Sequence, residues 1–270
     1  MKLLVLGAEG MVGHVVSLYL FEQGHIVNTI AENDVFPEKR DLIEREIENG
    51  QYDAVLNCTA VINQDAEDDK IKAITINTLL PHYLEAITKG LKTVIVHRST
   101  DCIFSGEKGN YSLEDTPDAK SFYARTKALG ELNNEKDITI RTSLIGPEKE
   151  KKGTGLFNWF YNQRGVISGY ANSIWTGLTT IEFAKEIEWL LLHKKHGIFQ
   201  LVPSVSIGKY ELLLLFEKYY PNNRTINRIE NKRVDKSLVP VCDGLVIPDY
   251  ETQICEMRRW TDNHFEIYGY

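Results

Sequence analysis

The sequence predicts an α/β fold: a Rossmann-type, doubly wound parallel sheet with a smaller C-terminal lobe. Short apolar runs alternate with segments of helical apolar spacing through the first half of the chain, which is typical of a parallel sheet covered by helices on both faces. Near Gly146 the alternation gives way to the charged stretch PEKEKKGTG. We therefore expect a core over residues 1–146, rejoined at about 176–203, and a lobe formed mainly by residues 147–270.

The elements of this fold follow from the pattern in order. Lys2 to Leu6 is short and apolar and predicts the first strand, and His14 to Gln23 predicts the first helix, which ends at Gly24. Further strands are predicted at HIVNTI, YDAVLNCTA, KTVIVHRST, ITIRTSLI and GIFQLV. Further helices are predicted at DLIEREIEN, 68–89, 121–131, 182–192 and 209–219. The aromatic end WTDNHFEIYGY carries no clear pattern.

Composition excludes several classes of function. The 270 residues carry 38 acidic and 31 basic side chains, for a net charge of -7, so nucleic acid and anionic membranes are poor partners. The four cysteines show no disulfide or metal-ligand spacing, and we expect no metal site. No apolar run reaches the length of a membrane span, and MKLLVLGAEG lacks a cleavage-type segment. These features predict a cytoplasmic protein.

A glycine-rich loop joins the first strand to the first helix. Gly7, Gly10 and Gly13 form G-x-x-G-x-x-G at this junction. Glycine permits the tight turn, the close approach of a pyrophosphate and the packing of the helix on the strand, and the helix N-terminus attracts the phosphates. The motif predicts a dinucleotide site, with a ligand-free turn as the alternative. Glu9 places a carboxylate in this loop, and we expect it to face solvent.

The end of the second strand should distinguish NAD from NADP. Glu32 and Asp34 are candidates for the ribose diol, while Lys39 and Arg40 are candidates for a 2′-phosphate. The two readings stay open, so the predicted cofactor is NADPH or NADH, with NADPH slightly favoured.

Tyr123 and Lys127 lie one helical turn apart in SFYARTKALGE. A free tyrosine has a pKa of about 10 and transfers protons poorly at neutral pH. A nearby lysine and an oxidised nicotinamide would lower that pKa by their charge. Thr100 ends the strand KTVIVHRST at the carboxyl edge of the sheet, where ligands bind in open α/β folds, and its hydroxyl could polarise a substrate oxygen.

The glycine loop, HRSTDCIFSG and SFYARTKALGE, in this order, resemble the extended short-chain dehydrogenase/reductases. Within that superfamily the chain is most similar to the dTDP-4-dehydrorhamnose reductase family. The resemblance implies a catalytic triad of Thr100, Tyr123 and Lys127. It implies cofactor contacts from Gly7, Gly10, Met11, Gly13, Thr59, Ala60, Asn77 and Lys127. The C-terminal lobe would bind the substrate.

Three further residues are candidate substrate contacts, each with a structural alternative. Asp101 follows Thr100 and could instead cap the chain; Trp175 could stack on a base or pack in the core; Arg224 could clamp a diphosphate. Arg98 lies at a strand end beside the predicted site, where structural packing is the default interpretation.

The resemblance implies reduction of a nucleotide-linked 4-keto-6-deoxy sugar, dTDP- or UDP-linked, in deoxysugar or surface polysaccharide biosynthesis. Related dehydratases carry Thr-Asp-Glu where this chain has Thr100, Asp101 and Cys102, so a dehydratase is disfavoured. An epimerase of the same superfamily and a non-catalytic NAD(P)-binding regulatory subunit stay as alternatives. The resemblance also makes a homodimer a candidate assembly.

Overall fold

The computed structural model describes residues 1–31, 39–149, 153, 155–230, 233–241 and 243–268. It contains two compact units. Unit 1 comprises Met1–Phe104, Thr116–Arg141 and Ala184–Phe199, and unit 2 comprises Ser105–Asp115, Thr142–Phe183 and Gln200–Tyr270. Compared with the predicted core, this division assigns residues 105–115, 142–146, 176–183 and 200–203 to unit 2.

The described strands are β1 (Lys2–Leu6), β2 (Ile26–Ile30), β3 (Ala54–Asn57), β4 (Val94–Arg98), β5 (Ile138–Arg141), β6 (Leu144–Ile145), β7 (Val166–Tyr170), β8 (Ser173–Trp175), β9 (Leu178–Thr179), β10 (Gly197–Gln200), β11 (Ile207–Gly208), β12 (Thr225–Ile229) and β13 (Val234–Asp235).

The described α-helices are α1 (Met11–Glu22), α2 (Arg40–Gly50), α3 (Asn63–Asp68), α4 (Lys70–Ala73), α5 (Leu80–Ile87), α6 (Phe122–Leu129), α7 (Leu156–Asn162), α8 (Thr180–Leu192), α9 (Lys209–Tyr219), α10 (Tyr250–Asn263) and α11 (Phe265–Tyr268). A π-helix (Ile74–Leu79) joins α4 to α5, and a 3₁₀ turn (Asp101–Ile103) follows β4.

The central sheet has the strand order β10-β5-β4-β3-β1-β2, and β1 to β5 pair in parallel. The Rossmann-type α/β prediction is therefore confirmed. The order reverses at β1, so the carboxyl ends of β1 and β3 flank the topological switch point where ligands bind in open α/β sheets. Leu6 lies opposite Asn57, and Asn57 opposite His97, in the register at this edge.

The core of unit 1 explains why these strands form. Leu3, Leu4, Val5 and Leu6 of β1 are fully buried, as expected for a central strand covered on both faces. Leu4 and Leu6 pack in a cluster with apolar residues of α2 and α5. The predicted return of the chain to the core is made by the later part of α8, where Glu188 accepts hydrogen bonds from Tyr19 (3.0 Å) and pairs with His25 (2.7 Å).

Unit 2 contains small sheets and an aromatic core. Its strands form the groups β11-β8-β13, β12-β7 and β6-β9. The ring of Phe157 lies edge-on to Phe216 and Tyr220, with centroids 5.3 and 4.6 Å apart. No helix in the described ranges combines the length and apolar character that a membrane span requires.

Several elements differ from the sequence prediction, and two of these differences have a clear physical reason. The run ITIRTSLI, predicted as one strand, divides into β5 in the central sheet and β6, which pairs with β9 instead. The C-terminal segment, for which we predicted no element, forms α10 and α11. In α10, Ile254, Met257 and Thr261 are buried and follow helical spacing, so a signal for this helix was present in the sequence.

Candidate active site

The glycine loop is closed by contacts that a side chain would prevent. Gly7 has a φ of 76°, and a Cβ there would lie 2.9 Å from Cγ2 of Thr59. A Cβ on Gly13 would lie 2.1 Å from the carbonyl oxygen of Gly7. The tight turn and the packing of α1 on the strand ends therefore require glycine at both positions.

Gly10 requires a different explanation. It has a φ of -72°, and the nearest atom to a Cβ built there is the Gly7 oxygen at 3.6 Å. The packing of the described protein atoms thus leaves room for a side chain at this exposed position. A bare backbone in front of α1, which begins at Met11 and has no acidic residue in its first turn, fits the close approach of a pyrophosphate. Glu9 is exposed, as expected.

The ends of β3 and the π-helix hold the next predicted residues. Thr59 is buried and its hydroxyl donates to Oδ1 of Asn57 (2.6 Å), so its side chain is directed into the protein, while Ala60 is half-buried. Asn77 is fully buried; its amide donates to the Val61 carbonyl (2.8 Å) and its Oδ1 accepts from the Val61 N–H (2.9 Å). Asn77 therefore fixes the β3 loop, and its predicted contact with the cofactor stays a prediction.

Tyr123 and Thr100 are brought together at the carboxyl edge. Ser121 caps α6 by accepting a hydrogen bond from the Ala124 N–H (3.2 Å), and the Thr100 side chain lies close enough to the phenol of Tyr123 to lower its pKa. The Thr100 hydroxyl also donates to Oδ1 of the buried Asp101 (3.2 Å). Asp101 thus borders the pair as part of the turn that shapes it.

Lys127 lies on the same helix and is fully buried. Its Nζ donates to the carbonyl oxygen of Arg98 (2.6 Å) and lies 3.3 Å from Nε2 of His97. Burial and then the positive charge of Arg98 hold the pKa of Lys127 well below its ordinary value, while Glu131 acts in the opposite direction.

Burial raises the pKa of Tyr123 to about 12. The charge of Arg98 and the side chain of Thr100 lower this pKa, whereas Cys102 and Asp101 raise it. Arg98 is thus a cation that acts on the phenol in addition to the predicted lysine. Its position two residues before Thr100, at the end of β4, was the sequence signal for a role beyond packing.

Trp175 and Arg224, the two substrate candidates in unit 2, are buried among other residues of that unit. Trp175 is 6% exposed, with its ring 5.5 Å from that of Tyr250. The fully buried guanidinium of Arg224 pairs with Glu217 (2.6 Å) and donates to the carbonyl oxygens of Tyr161, Gln163 and Tyr220. These side chains pack and bond within unit 2, and their assignment as substrate contacts stays a prediction.

Of the four residues predicted as candidates for the ribose end of the cofactor, two lie among the described residues. Glu32 and Asp34 lie outside the described residues. Lys39 and Arg40 are exposed at the start of α2. Within the described ranges, no group of three or more His, Cys, Asp or Glu residues is arranged to hold a metal ion.

Residues 1–155 match a family described as the RmlD substrate binding domain. Over 134 residues the chain is 34% identical to a dTDP-4-dehydrorhamnose reductase of Burkholderia thailandensis, covering 49% of this chain and 45% of that protein. Over 139 residues it is 32% identical to a probable low-salt glycan biosynthesis reductase of Haloferax volcanii, covering 47% and 46%. The matches thus span about half the length of these curated relatives.

Solved structures share the fold. A dTDP-4-dehydrorhamnose reductase of Bacillus anthracis in complex with NADP superposes with a TM-score of 0.84 at 18% identity, covering 96% of this chain and 99% of the other. A dTDP-4-dehydrorhamnose reductase of Clostridium acetobutylicum gives a TM-score of 0.83 at 20% identity, with coverage of 97% and 100%.

Proposed function

The chain belongs to the RmlD substrate binding domain family, and from this premise we propose that it is an NAD(P)H-dependent reductase of a nucleotide-linked 4-keto-6-deoxy sugar. One observation carries the proposal: the buried side chains of Thr100 and Tyr123 interact at the sheet edge where the glycine loop lies, and the buried Lys127 is on the same helix as Tyr123. The names of the relatives, which are reductases of dTDP-linked keto sugars and of glycan biosynthesis, support the same reaction.

The residues have distinct roles in this reaction. The cofactor, when bound, supplies the hydride that reduces C4 of the sugar. Thr100 donates a hydrogen bond to the C4 oxygen, and Tyr123 transfers its phenolic proton to that oxygen as negative charge develops there. Gly7, Gly10 and Gly13 hold the pyrophosphate on the backbone. Lys127 maintains the geometry of the strand end through the Arg98 carbonyl.

We propose NADPH as the slightly preferred cofactor, since a structural relative was solved with NADP, although a dehydratase of the same fold was solved with NAD. The nucleotide of the substrate is proposed as dTDP, with UDP as the second choice. We also propose that the reaction takes place in the cytoplasm. A homodimer is proposed as the assembly, and light scattering would test it.

The assay is direct. The protein is mixed with NADPH or NADH and with dTDP- and UDP-linked 4-keto-6-deoxy sugars, and nicotinamide absorbance is followed. We expect consumption of the reduced cofactor with at least one of these substrates. Tyr123→Phe should lower kcat by about 10²–10⁴-fold, since this is the usual contribution of a general acid, while NADPH binding by fluorescence stays nearly unchanged.

Tyr170→Phe is the matched control, because the side chain of Tyr170 is half exposed on β7 of unit 2. It should retain wild-type turnover. Equal turnover of Tyr123→Phe and wild type would contradict the proposed mechanism. Binding of NADPH without turnover on any sugar would favour a regulatory subunit instead.

A further inference from the structure

A chain of buried hydrogen bonds leads from the β3 loop to Lys127. It begins at the backbone N–H of Thr59, which lies 3.3 Å from Oδ1 of Asn57. The Thr59 hydroxyl also donates to this oxygen (2.6 Å). Because a backbone N–H can only donate, the carbonyl end of the Asn57 amide must face Thr59. The NH₂ end then faces Nδ1 of His97, at 3.2 Å.

This orientation fixes the tautomer of His97. An amide NH₂ can only donate, so Nδ1 is the acceptor and, in a neutral ring, the proton is on Nε2. The imidazole is fully buried. Burial, with the charge of Arg98 acting in the same direction, holds the pKa of His97 well below its ordinary value, so the ring is neutral.

The tautomer in turn constrains Lys127. Nε2 of His97 lies 3.3 Å from Nζ of Lys127. An ammonium group has three donors and no lone pair, so a charged lysine would set two donors against each other. A neutral amine can accept from the Nε2–H and still donate to the Arg98 carbonyl at 2.6 Å.

The carboxylate of Glu131, which raises the pKa of Lys127, does not counter this arrangement. Glu131 accepts two hydrogen bonds from Arg141 (2.8 and 2.7 Å) and one from Ser99 (2.6 Å), so its charge is already paired. We infer that His97 is a positioning residue that holds Lys127 as a neutral amine in the cofactor-free protein, which leaves Arg98 as the fixed cation beside Tyr123.

The guanidinium of Arg98 suits this role. Its Nε is buried and has no hydrogen-bond partner, and its Nη2 contacts the Cys58 carbonyl only at 3.5 Å. The other groups that act on the phenol are the hydroxyl of Thr100 and the side chains of Asp101 and Cys102. The significance of this charge for catalysis rests on the proposed function, but the hydrogen-bond chain does not.

The first test reads the tautomer directly in the cofactor-free protein. The seven histidines are labelled with ¹⁵N, and the His97 resonances are identified by their loss in His97→Gln. We expect a neutral ring protonated on Nε2 across neutral pH. A ring protonated on Nδ1, or an imidazolium at neutral pH, would overturn the inference.

The second test changes the tautomer of His97 with a single substitution at Asn57. In Asn57→Asp the carboxylate can only accept, so His97 should carry its proton on Nδ1 and present a lone pair to Lys127. With ¹³Cε-labelled lysine, Lys127 should titrate well below the other lysines in the wild type and at a higher pH in Asn57→Asp. A Lys127 that titrates with the exposed lysines in the wild type would also overturn the inference.

The third test connects the chain to turnover. His97→Gln retains an acceptor toward Asn57 and an NH₂ toward Lys127, so kcat should stay within about threefold of wild type. His97→Phe removes both groups, and kcat should fall by about tenfold or more with a displaced pH profile; identical pH profiles in the two variants would contradict the positioning role. Because the NMR readings need no cofactor or substrate, they stand or fail independently of the proposed reaction.

Discussion

At the scale of single residues, the structure adds Arg98 as a source of positive charge that the sequence analysis did not assign to the site. The spacing of Tyr123 and Lys127 predicted that the lysine would lower the tyrosine pKa, but the amine lies against the Arg98 carbonyl and His97. Arg98 is a cation that lowers this pKa. Helical spacing indicates that two side chains share a face, but the direction of a long side chain depends on the partners that other strands provide.

Replacing Arg98 should alter the pH dependence of the proposed reduction. Tyr123 must be protonated to act as an acid, so activity is full below its pKa and falls as the pH rises through it. Arg98→Met removes a charge that lowers this pKa, so the pKa should rise and the alkaline limb of kcat should move to higher pH. A weaker acid also transfers its proton less readily, so kcat at neutral pH should fall as well, by less than about tenfold for each pKa unit, which corresponds to about 1.4 kcal/mol.

Arg98→Lys is the matched control, because it retains the charge. Its kcat and alkaline limb should stay closer to wild type than those of Arg98→Met when both are measured over the same pH series. If Arg98→Met retained the wild-type limb, Arg98 would not be the cation that acts on Tyr123.

At the scale of elements, a buried ion pair joins the ends of β4, α6 and β5. Arg141 and Glu131 form a bidentate pair (2.8 and 2.7 Å) with side chains only 6% and 8% exposed, and Ser99 donates to the same carboxylate (2.6 Å). The guanidinium also lies over the ring of Phe104. The pair therefore ties together the strand and helix ends that carry Thr100 and Lys127.

Removing one charge of this pair should destabilise the fold strongly. Glu131→Gln leaves Arg141 buried without its counter-charge, and breaking such a pair costs about 3–5 kcal/mol. Glu230→Gln makes the same chemical change in an exposed pair, where Arg228 and Glu230 are 53% and 61% exposed, and should cost about 1 kcal/mol or less. Urea unfolding at neutral pH would measure both, and equal effects of the two variants would contradict this account.

The helix α10 shows why one element was missed. Its aromatic and charged residues hide an amphipathic pattern, yet Asp249 caps it by accepting a hydrogen bond from the Thr252 N–H (2.8 Å). Asp249→Ala should cost about 1 kcal/mol of unfolding free energy, the usual value of an N-cap.

The pH dependence of this cap has a definite sign. Hydrogen bonds from the backbone N–H and side chain of Thr252 lower the pKa of Asp249 below its ordinary value. The cap therefore contributes fully above about pH 4, the unfolded value, and its contribution is lost as the pH falls through the folded pKa. Asp249→Ser retains an accepting oxygen without a titrating group, so its stability at pH 7 should exceed that of Asp249→Ala and lack this acid loss. Urea unfolding at pH 7 and at an acidic pH below the folded pKa of Asp249 would test this prediction. An equal loss of stability in acid for Asp249→Ser would contradict the assignment.

At the scale of the whole molecule, the sequence predicted unit 1 more accurately than unit 2. The alternation of buried strands and helices is strong where β1, β3 and β4 are covered on both faces. In unit 2 the strands β6, β9 and β11 have only two residues each, too few to display a period. The surroundings of Trp175 and Arg224 could not be predicted either, because a single aromatic or basic residue carries no information about its partners.

Binding of the cofactor can be tested by thermal unfolding of the protein. A ligand that binds only the folded state at about 100 times its Kd adds about 2.7 kcal/mol, which for a chain of this size raises Tm by about 5 °C or more. NADPH should produce this shift in the wild type, and a matched scan with NADH would rank the two cofactors. Gly10→Ala is the matched variant, because the nearest atom to its new Cβ is 3.6 Å away.

Without ligand, Gly10→Ala should lose only about 1 kcal/mol, the usual difference between glycine and alanine at a helix N-cap. With NADPH its Tm should rise far less than that of the wild type, since the methyl group would occupy the surface that the pyrophosphate approaches. An equal shift in both proteins would show that the ligand does not lie over Gly10. The comparison therefore separates a glycine retained for ligand approach from Gly7 and Gly13, whose neighbours alone require the absence of a side chain.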